Sequence, residues 1–581
     1  MCAINGFTYQ DPSLLKKMMN YCKNRGPDWE DSYFDQDVSL GHNRLSILDV
    51  ESRSNQPFIF KDYVLSFNGE IYNYLFLKKE LELKGYKFQT TSDTEVLIKL
   101  FCEYNIEAFK KISGIFSISI WDKAKKILYL IRDIVGVKPL YYKEKNGHIF
   151  FSTLINPLLI ENKKNLNLKA VNYFSNFGYN DLNETFYKGI YKLLPGELLI
   201  YEKKNIKKKK FLHFNFKKDK FSIDLQQKIK NIIKKQTVAD VPISISLSGG
   251  IDSNILLSSI SKNLNSYTIS YNYKDNKSLD SITAAQRAGE YKTNHNEIEV
   301  ASDEFLGSLE LMNGLLEEPI GNENMVGNYF LSKKIKEKVL FVGDGGDEVF
   351  TGYDKYRSIY FISLLNKINF LKFLKPSFKN KNLNRLFYSS AGDLHLSFSN
   401  QNLFNIKGSY KYFNKIQKDE IYFNHFGSSY SEPILENVML ADIDTWIQND
   451  VLIRNDKIYM NEGIEVRVPF LDQEMIENFL FYSTFKKINF LNQTKPLLRK
   501  LFKDQLRGTL KVKKGFISPF NFWITEQSNL DKIKFFFSKE YYRSDLIDYD
   551  TVSSLLDRKS KNSHQIFSLL MFQIFLKNNN F

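Results

Sequence analysis

The sequence predicts a chain of two unlike parts, an N-terminal α+β domain with mostly antiparallel strands and a C-terminal α/β domain with a parallel sheet. Before about residue 155, short β-branched and aromatic runs follow one another with turn signals between them. After about residue 240, strand-like runs alternate with helical patterns. A chain of 581 residues is also long enough for more than one folding unit.

Three strand-like runs and one helix define the first domain. Residues 63–67, 115–120 and 127–131 are rich in β-branched and aromatic side chains. Residues 94–104 carry apolar side chains at helical spacing. These elements are typical of a layered, mostly antiparallel domain, which we place at residues 1–155.

The second domain, placed at residues 221–581, is predicted from alternating elements. Residues 241–247 form a buried strand, and after a glycine turn an apolar helix runs through residues 255–264. Further strands are predicted at 267–271 and 339–342. The alternation favours parallel strands, with ligands bound at their carboxyl ends. Residues 355–440 are predicted to be helical and irregular.

The charge of the chain bears on its partners. Lys and Arg number 81 against 66 Asp and Glu, a formal net charge of +15. The basic residues are nevertheless spread along the chain, without the interleaved aromatics of a nucleic-acid site. The one basic run, residues 207–210, lies in an Asn- and Lys-rich stretch, 156–220, interpreted as a linker region. We therefore predict no nucleic-acid partner.

Cysteine usage and hydropathy bear on location. Three cysteines are too few for a disulfide scaffold in a chain of this length. There is no uncharged apolar stretch of 18 residues and no secretory signal at the start of the sequence. The expectation is a reduced, cytoplasmic protein that contacts no membrane.

A glycine turn after the first predicted strand of the second domain has the chemistry of a phosphate site. Residues 248–253 read Ser-Gly-Gly-Ile-Asp-Ser. The glycines let backbone N–H groups point into a concavity, and the following helix adds its positive end. Asp252 is suited to hold Mg²⁺ on the phosphates, and Ser248 and Ser253 to donate hydrogen bonds. A plain glycine turn is the alternative interpretation.

A second glycine-rich loop follows another predicted strand. Residues 342–348 read Val-Gly-Asp-Gly-Gly-Asp-Glu. Carboxylates crowded near phosphates repel them unless a divalent cation lies between. An acidic surface turn is the alternative, but two such loops at strand ends together predict a nucleotide–Mg²⁺ site.

The start of the chain suggests a different chemistry. If Met1 is removed, the Cys2 thiol lies beside its own α-amine, whose ordinary pKa of about 7.7–8.0 suits a general base. A Met-Cys start also arises by chance. Cys22 and Cys102 are predicted to be core thiols.

Together these motifs resemble the glutamine-dependent asparagine synthetases, class II amidotransferases fused to an ATP-pyrophosphatase-type synthetase domain. The resemblance runs from Cys2 to about Phe522 and keeps the family order. It implies an αββα Ntn-hydrolase-like first domain and an adenine-nucleotide hydrolase-like second domain. Asp344 and Tyr459 depart from common family residues, and a glutamate is missing near Asn156. Besides the two loops, the motifs lie at residues 25–28, 42–47, 56–57, 68–73, 92–95, 132–133, 136, 139–141, 465–472, 495–499 and 514–516.

For the first domain the resemblance implies glutamine hydrolysis. Cys2 would attack the side-chain amide of glutamine, forming a thioester and releasing ammonia. Asn68 and the backbone N–H of Gly69 would form the oxyanion hole. The implied glutamine-binding residues are Arg44 for the α-carboxylate, and Glu70 and Asp93 for the α-amino group.

For the second domain the resemblance implies amide formation with ATP and Mg²⁺. The β-carboxylate of aspartate would attack the α-phosphate and give an acyl-adenylate. Glu348 would take a proton from the incoming ammonia, and Lys495 would neutralise phosphate charge. Asp252 and Asp347 would be the Mg²⁺ ligands. The implied ATP-binding residues are Leu247, Ser248, Gly249, Gly250, Asp252, Ser253, Gly343, Asp344 and Gly345.

The sequence leaves the acceptor open. The leading hypothesis is conversion of glutamine, aspartate and ATP to asparagine, glutamate, AMP and pyrophosphate. The alternative is another carboxylate acceptor, such as a uronic acid in a surface polysaccharide. A non-catalytic nucleotide-binding protein is disfavoured, because Cys2, Asp252 and Glu348 are all present. Ammonia should travel between the two centres through an apolar passage, and a homodimer is implied only by the resemblance.

Overall fold

In the computed structural model, the described part of the first 210 residues contains two antiparallel sheets of six strands each. The structure describes residues 2–160, 163–216, 224–260, 264–271, 278–367, 399, 403, 434–488, 493–509, 518–538, 546–547 and 549–581. The strands are β1 (Ala3–Phe7), β2 (Trp29–Phe34), β3 (Ser39–Arg44), β4 (Phe58–Phe60), β5 (Tyr63–Ile71), β6 (Gly114–Asp122), β7 (Ile127–Arg132), β8 (Tyr141–Lys145), β9 (His148–Ser152), β10 (Tyr191–Lys192), β11 (Glu197–Glu202) and β12 (Asn205–Lys210). The helices of this part are α1 (Pro12–Tyr21), α2 (Tyr74–Leu83), α3 (Asp93–Tyr104), α4 (Asn156–Leu159) and α5 (Leu168–Phe177).

The two sheets pack face to face with helices outside. One sheet has the strand order β10-β8-β9-β1-β3-β2, and the other has the order β12-β11-β7-β6-β5-β4. Buried side chains from both sheets, including Ile4, Trp121 and Phe151, form one apolar cluster between them. Helix α1 packs on β3 and helix α3 packs on β5. The first domain therefore has the αββα layering that the resemblance implied.

The elements predicted in this domain are present with slightly wider bounds. The three predicted strands lie within β5, β6 and β7, and the predicted helix lies within α3. The start of α3 is set by Ser92, whose hydroxyl accepts a hydrogen bond from the Thr94 N–H at 3.0 Å.

The stretch interpreted as a linker contains regular structure. Strands β10, β11 and β12 extend the two sheets of the first domain, so residues 191–210 are part of the sandwich. The basic run at residues 207–210 lies on β12, which is the edge strand of its sheet among the described residues. Local composition failed here because strand pairing to β7, some 70 residues earlier, decides the structure of this stretch.

A parallel sheet forms the centre of the second domain. Its strand order is β15-β14-β13-β16-β17, and every neighbouring pair is parallel. The strand predicted at 241–247 is shorter, and the helix that follows ends at Ser259 because Ile260 has an extended backbone. The strands are β13 (Ile243–Ser246), β14 (Asn265–Tyr271), β15 (Asn294–Val300), β16 (Val339–Phe341) and β17 (Glu465–Arg467).

The described helices of the second domain precede, separate and follow these strands along the chain. They are α6 (Leu225–Lys235), α7 (Ile251–Ser259), α8 (Leu279–Glu290), α9 (Ser302–Gly307), α10 (Leu309–Leu316), α11 (Met325–Ser332), α12 (Gly346–Val349), α13 (Asp354–Lys367), α14 (Ile434–Asp442), a π-helical segment (Ile443–Leu452), α15 (Ile453–Met460), α16 (Gln473–Phe479), α17 (Thr484–Lys487), α18 (Pro496–Leu501), α19 (Phe520–Trp523), α20 (Gln527–Phe536), α21 (Tyr549–Asp557) and α22 (Ser563–Asn578). Most of the stretch 355–440 and all of the motif 514–516 lie outside the described residues.

Buried polar contacts join the two domains. Arg25 donates two hydrogen bonds to the Asp456 carboxylate, at 2.6 and 3.0 Å, and both side chains are buried. Lys457 Nζ lies 2.8 Å from the Glu317 carboxylate, which also accepts the backbone N–H of Ile155. Within the described residues, no helix is both long enough and apolar enough to cross a membrane.

Candidate active sites

The predicted nucleophile is buried at the start of β1. The Cys2 side chain is only 7% exposed, and its backbone nitrogen donates to Asn68 Oδ1 at 3.1 Å. Burial raises the pKa of the Cys2 thiol, although the Leu45 N–H and the Arg44 charge act in the opposite direction. A thiol with a raised pKa is mostly protonated near neutral pH, so its reactivity requires a base close by.

Asn68 and Gly69 follow each other on β5 beside this cysteine. The Asn68 amide also donates to Ser117 Oγ at 3.3 Å, which fixes the side chain from the neighbouring strand. Gly69 has a φ of +151°, and a Cβ there would lie 2.0 Å from the carbonyl oxygen of Ile115. Only glycine fits this position, because a side chain would collide with the adjacent strand.

Arg44, at the end of β3, is held by the loop that follows it. Its Nη1 donates to the Glu51 carbonyl at 2.9 Å and to Asn55 Oδ1 at 2.6 Å, and its Nη2 donates to the Leu48 and Asp49 carbonyls. These acceptors are uncharged groups, so the positive charge of Arg44 is not neutralised by them. These four hydrogen bonds use four of the five N–H donors of the guanidinium group, so Arg44 can offer an anionic ligand its charge and one further N–H group.

Glu70 and Asp93 lie in a buried group of charges to which the second domain contributes. Arg467, on β17, approaches Glu70 Oε1 to 3.6 Å and pairs with Glu465. Burial, with the neighbouring Glu465 and Asp93 charges, raises the pKa of Glu70 well above its ordinary value. Burial likewise raises the pKa of Asp93 to about 6. The Glu465 charge of the second domain thus acts on both predicted amine-binding carboxylates.

The first glycine-rich loop is preorganised by side chains of its own helix. The backbone N–H of Ser248 donates to Ser253 Oγ at 3.1 Å. Asn254 donates to the carbonyls of Ser248 and Gly250 at 2.9 and 2.6 Å, and Arg287 in turn orients Asn254. The loop therefore has a fixed shape without a ligand, as an anion site at a helix N-terminus requires.

The second glycine-rich loop packs directly against the first. A Cβ at Gly346 would lie 2.4 Å from Asp252 Oδ1, so only glycine lets the two loops approach this closely. Asp344 accepts a hydrogen bond from Asn455 at 2.7 Å, and burial raises the pKa of its carboxyl group. The two predicted loops thus meet at one end of the sheet.

Lys495 joins the two loops, although it lies 243 residues from Asp252 in the sequence. Its ammonium contacts Asp252 Oδ2 and lies 2.7 Å from Asp347 Oδ1. Burial acts to lower the pKa of Lys495, but the two carboxylates more than offset it and the pKa is raised. Lys495 also has a left-handed backbone, with φ +54°, which is uncommon outside glycine and occurs often at functional sites.

A cavity of about 290 Å³ lies where these groups meet. Of the residues predicted for this site, Gly249, Gly345 and Glu348 are not among those that line the cavity. Glu348 is buried and accepts a hydrogen bond from the Tyr353 hydroxyl at 2.9 Å. The predicted residues that line the cavity are Leu247, Ser248, Gly250, Asp252, Ser253, Gly343, Asp344, Asp347 and Lys495.

The donor set around Lys495 is compatible with Mg²⁺. Mg²⁺ is commonly held by one or two carboxylates together with substrate phosphates, and it keeps several waters. Asp252 and Asp347 contact the same ammonium and therefore lie close enough together to share one cation. Within the described residues, no group of three or more His, Cys, Asp or Glu is placed to bind a metal without such a substrate.

The cavity contains polar residues that the sequence analysis missed. Asp280 accepts a hydrogen bond from the Gly249 N–H at 3.0 Å. It lies at the start of α8, the helix that follows β14. The rule that ligands bind beyond the carboxyl ends of strands therefore points to this region of the sequence. Arg454 lines the cavity from α15, where no local motif marks it. The other polar lining residues to which the sequence analysis gave no role are Ser246, Thr268, Asn324, Asn328, Asn455, Tyr459, Thr494 and Arg499.

Two family models match the two parts of the chain. A family model described as a glutamine amidotransferase domain matches residues 1–212, and one described as asparagine synthase matches residues 224–577. Asparagine synthetase [glutamine-hydrolyzing] 1 of Bacillus subtilis is 29% identical over 98% of this chain and 94% of its own. Amidase chyE of Penicillium rubens is 23% identical over 88% of this chain and 85% of its own. A solved glutamine phosphoribosylpyrophosphate amidotransferase from B. subtilis has 16% identity and a TM-score of 0.28, and covers 42% of this chain and 60% of its own.

Proposed function

The chain belongs to the asparagine synthase family and is a glutamine-hydrolysing ligase, and from this premise we propose that it makes asparagine from aspartate, glutamine and ATP. The products would be asparagine, glutamate, AMP and pyrophosphate. The observation that carries the proposal is the meeting of both glycine-rich loops with Lys495 around one cavity.

Glutamine hydrolysis is assigned to the first domain. Cys2 Sγ attacks the amide carbon of glutamine. The C–N bond then breaks, the departing nitrogen takes a proton from the α-ammonium group of Cys2 and leaves as ammonia, and water hydrolyses the remaining thioester to glutamate. The α-amine released by removal of Met1 accepts the thiol proton, which the raised pKa of Cys2 makes necessary. Asn68 and the Gly69 N–H stabilise the tetrahedral oxygen. The charge of Arg44 meets the glutamine α-carboxylate, and Glu70 and Asp93 meet its ammonium group.

Acceptor activation is assigned to the second domain. A carboxylate oxygen of the acceptor attacks the α-phosphorus of ATP, the bond to the β-phosphate breaks, and pyrophosphate leaves. Lys495 and the backbone of residues 248–253 neutralise the phosphate charge. Bound Mg²⁺ would be held by Asp252 and Asp347, where it would shield the phosphates from these carboxylates. Glu348 accepts a proton from the ammonia that attacks the acyl carbon.

A small cavity at the domain interface has room for about one ammonia molecule, and its lining includes none of the residues proposed for the glutamine site. It has a volume of about 10 Å³ and is lined by valines from both domains, Val137, Val466 and Val468, together with Leu452, Lys138, Asp456 and Asn455. Asn455 also lines the nucleotide cavity, so the two spaces adjoin. The lining is mixed rather than purely apolar.

Arg454 supports an acidic acceptor. It is buried, with 9% exposure, and lines the cavity. Its Nε lies 3.5 Å from Asp450, and its Nη1 has no hydrogen-bond partner among the residues described by the structure. A buried guanidinium with an unused donor fits a carboxylate ligand. Because one relative is named an amidase, a carboxylate other than aspartate is the second candidate for the acceptor.

A pyrophosphate-release assay with a panel of carboxylates tests the proposal. With glutamine and ATP present, aspartate is expected to give the highest rate of release. Cys2→Ala is expected to abolish glutamine-dependent release and to leave ammonium-dependent release intact, because the second domain is unchanged. Asp252→Ala is expected to abolish both.

Two results would refute these assignments. A higher rate with another carboxylate would replace aspartate as the acceptor. Glutamine-dependent product from Cys2→Ala would remove Cys2 as the nucleophile.

A further inference from the structure

Asp49 links the two ends of the proposed glutamine site. Its backbone is left-handed, with φ +43°, and its carbonyl accepts a hydrogen bond from Arg44. Its carboxylate accepts the Thr91 N–H at 2.7 Å and the Thr91 hydroxyl at 3.0 Å. Thr91 lies two residues before Asp93. Asp49 therefore connects Arg44, proposed to bind the α-carboxylate of glutamine, to the turn before Asp93, proposed to bind its ammonium group.

The backbone N–H of Asp49 has its hydrogen-bond acceptor in the second domain. The Asp49 N–H donates to Asp240 Oδ2 at 2.8 Å. The Asp240 N–H donates to the carbonyl of Ile47 at 2.9 Å. Asp240 thus holds the loop after Arg44 at two points, and it lies three residues before the start of β13.

We propose that Asp240 is a positioning residue through which the synthetase domain orders the glutamine-binding loop of residues 47–51. The inference rests on the proposed function, since it takes Arg44 and Asp93 as glutamine ligands. A left-handed aspartate is a sparsely populated conformation that persists only where surrounding contacts enforce it. Without the Asp240 carboxylate the loop keeps its contacts with Arg44 and Thr91 but loses its side-chain hydrogen bond from the second domain. Glutamine must then supply part of the ordering, which lowers the apparent affinity.

The test compares Asp240→Ala and Asp240→Asn in the full chain. Asp240→Ala removes the acceptor for the Asp49 N–H, so the KM for glutamine in the glutaminase reaction is expected to rise about tenfold, or about 1.4 kcal/mol. The kcat of that reaction and the rate of ammonium-dependent pyrophosphate release are expected to stay within about twofold. Asp240→Asn keeps an oxygen acceptor and is expected to restore the wild-type KM.

Asp224→Ala is the matched control. Asp224 is a second carboxylate of the same domain that accepts backbone N–H groups, those of Gln226 and Gln227 at the start of α6. Its removal is expected to lower the melting temperature without changing the KM for glutamine.

An unchanged KM in Asp240→Ala would overturn the inference. So would a parallel loss of glutaminase kcat and ammonium-dependent synthesis, because that result indicates general damage to the fold. A wild-type protein that forms product from ammonium but does not hydrolyse glutamine would refute the proposed function itself.

Discussion

Asp93 is the residue whose charge state most directly bears on glutamine binding. It is buried at the start of α3, where it accepts the backbone N–H of Ile71 at 2.9 Å. Burial raises the pKa of its carboxyl group to about 6, and the nearby Glu465 charge acts in the same direction. Glu70, with its own raised pKa, and Arg467 are the other charged groups of this cluster. Asp93 is therefore ionised near neutral pH and protonated below about pH 6.

We predict that kcat/KM for glutamine falls with acid in two steps. Protonation of the Cys2 α-amine, with an ordinary pKa of about 7.7–8.0, removes the base and gives the first step. Protonation of Asp93 removes the charge that meets the ammonium group of glutamine, which gives a second step near pH 6. A pH–rate profile of the glutaminase reaction measures both. In Asp93→Asn the lower step should disappear while the upper step stays, and persistence of the lower step would refute its assignment.

Arg454 yields a prediction about the acceptor. Its removal takes away a charge-assisted hydrogen bond, of about 1.5–3 kcal/mol, from the acceptor carboxylate. Arg454→Gln is therefore expected to raise the KM for aspartate by about ten- to a hundredfold and the KM for ATP far less. Steady-state pyrophosphate release, measured once with aspartate varied and once with ATP varied, gives the two KM values separately. A change in the KM for ATP alone would place Arg454 on the phosphates instead.

At the scale of the element, β12 shows how a basic run serves an edge strand. Lys207 and Lys209 are exposed on the outer strand of its sheet. Lys208 donates to the Tyr142 hydroxyl at 2.6 Å, and Lys210 donates to the Pro195 carbonyl at 2.6 Å. Charged side chains on an edge strand prevent pairing with the strands of other molecules. The run therefore has a structural explanation that requires no anionic partner.

We predict that Lys207→Thr/Lys209→Thr increases self-association. Threonine favours strand structure and removes the repulsion along an edge that has no neighbouring strand among the described residues. Light scattering over a range of protein concentrations measures the mass. The matched control, Lys532→Thr/Lys534→Thr, makes the same change in net charge on exposed positions of α20. Equal association of both variants would contradict the edge-strand explanation.

At the scale of the whole molecule, the pair of Arg25 and Asp456 fixes one domain on the other. Both side chains are buried, and the hydrogen bonds are bidentate. Removing one member of such a pair leaves an uncompensated buried charge, which costs about 3–5 kcal/mol. The domain interface therefore depends strongly on this contact.

We predict that Asp456→Asn lowers the midpoint of urea unfolding markedly. The reason is that Arg25 keeps its charge in the buried interface without an anionic partner. Asp504→Asn is the control, since its pair with Arg507 is exposed, with 74% and 78% of the side chains accessible. Exposed pairs contribute little to stability. Similar shifts in both variants would show that the buried pair has no special role.

Local chemistry made several features of this protein predictable. The two glycine-rich loops were identified because tight turns with inward N–H groups require glycine, and strand ends are where α/β sheets bind ligands. The strands within β5, β6 and β7 followed from their β-branched and aromatic side chains. The roles of Cys2, Arg44 and Asp93 came from a family resemblance, and they stay predictions.

Local sequence patterns are enough to predict the two-domain layout, the two glycine-rich loops and the position of the proposed nucleophile, because each is recognised from short stretches of sequence. The contacts of Lys495 with Asp252, of Arg467 with Glu70 and of Asp240 with Asp49 are seen only in the folded chain. These partners are separated by more than 190 residues, and no periodicity or motif records such a distance. The physical reason is that long-range contacts are selected by the packing of whole elements, which local sequence patterns do not encode.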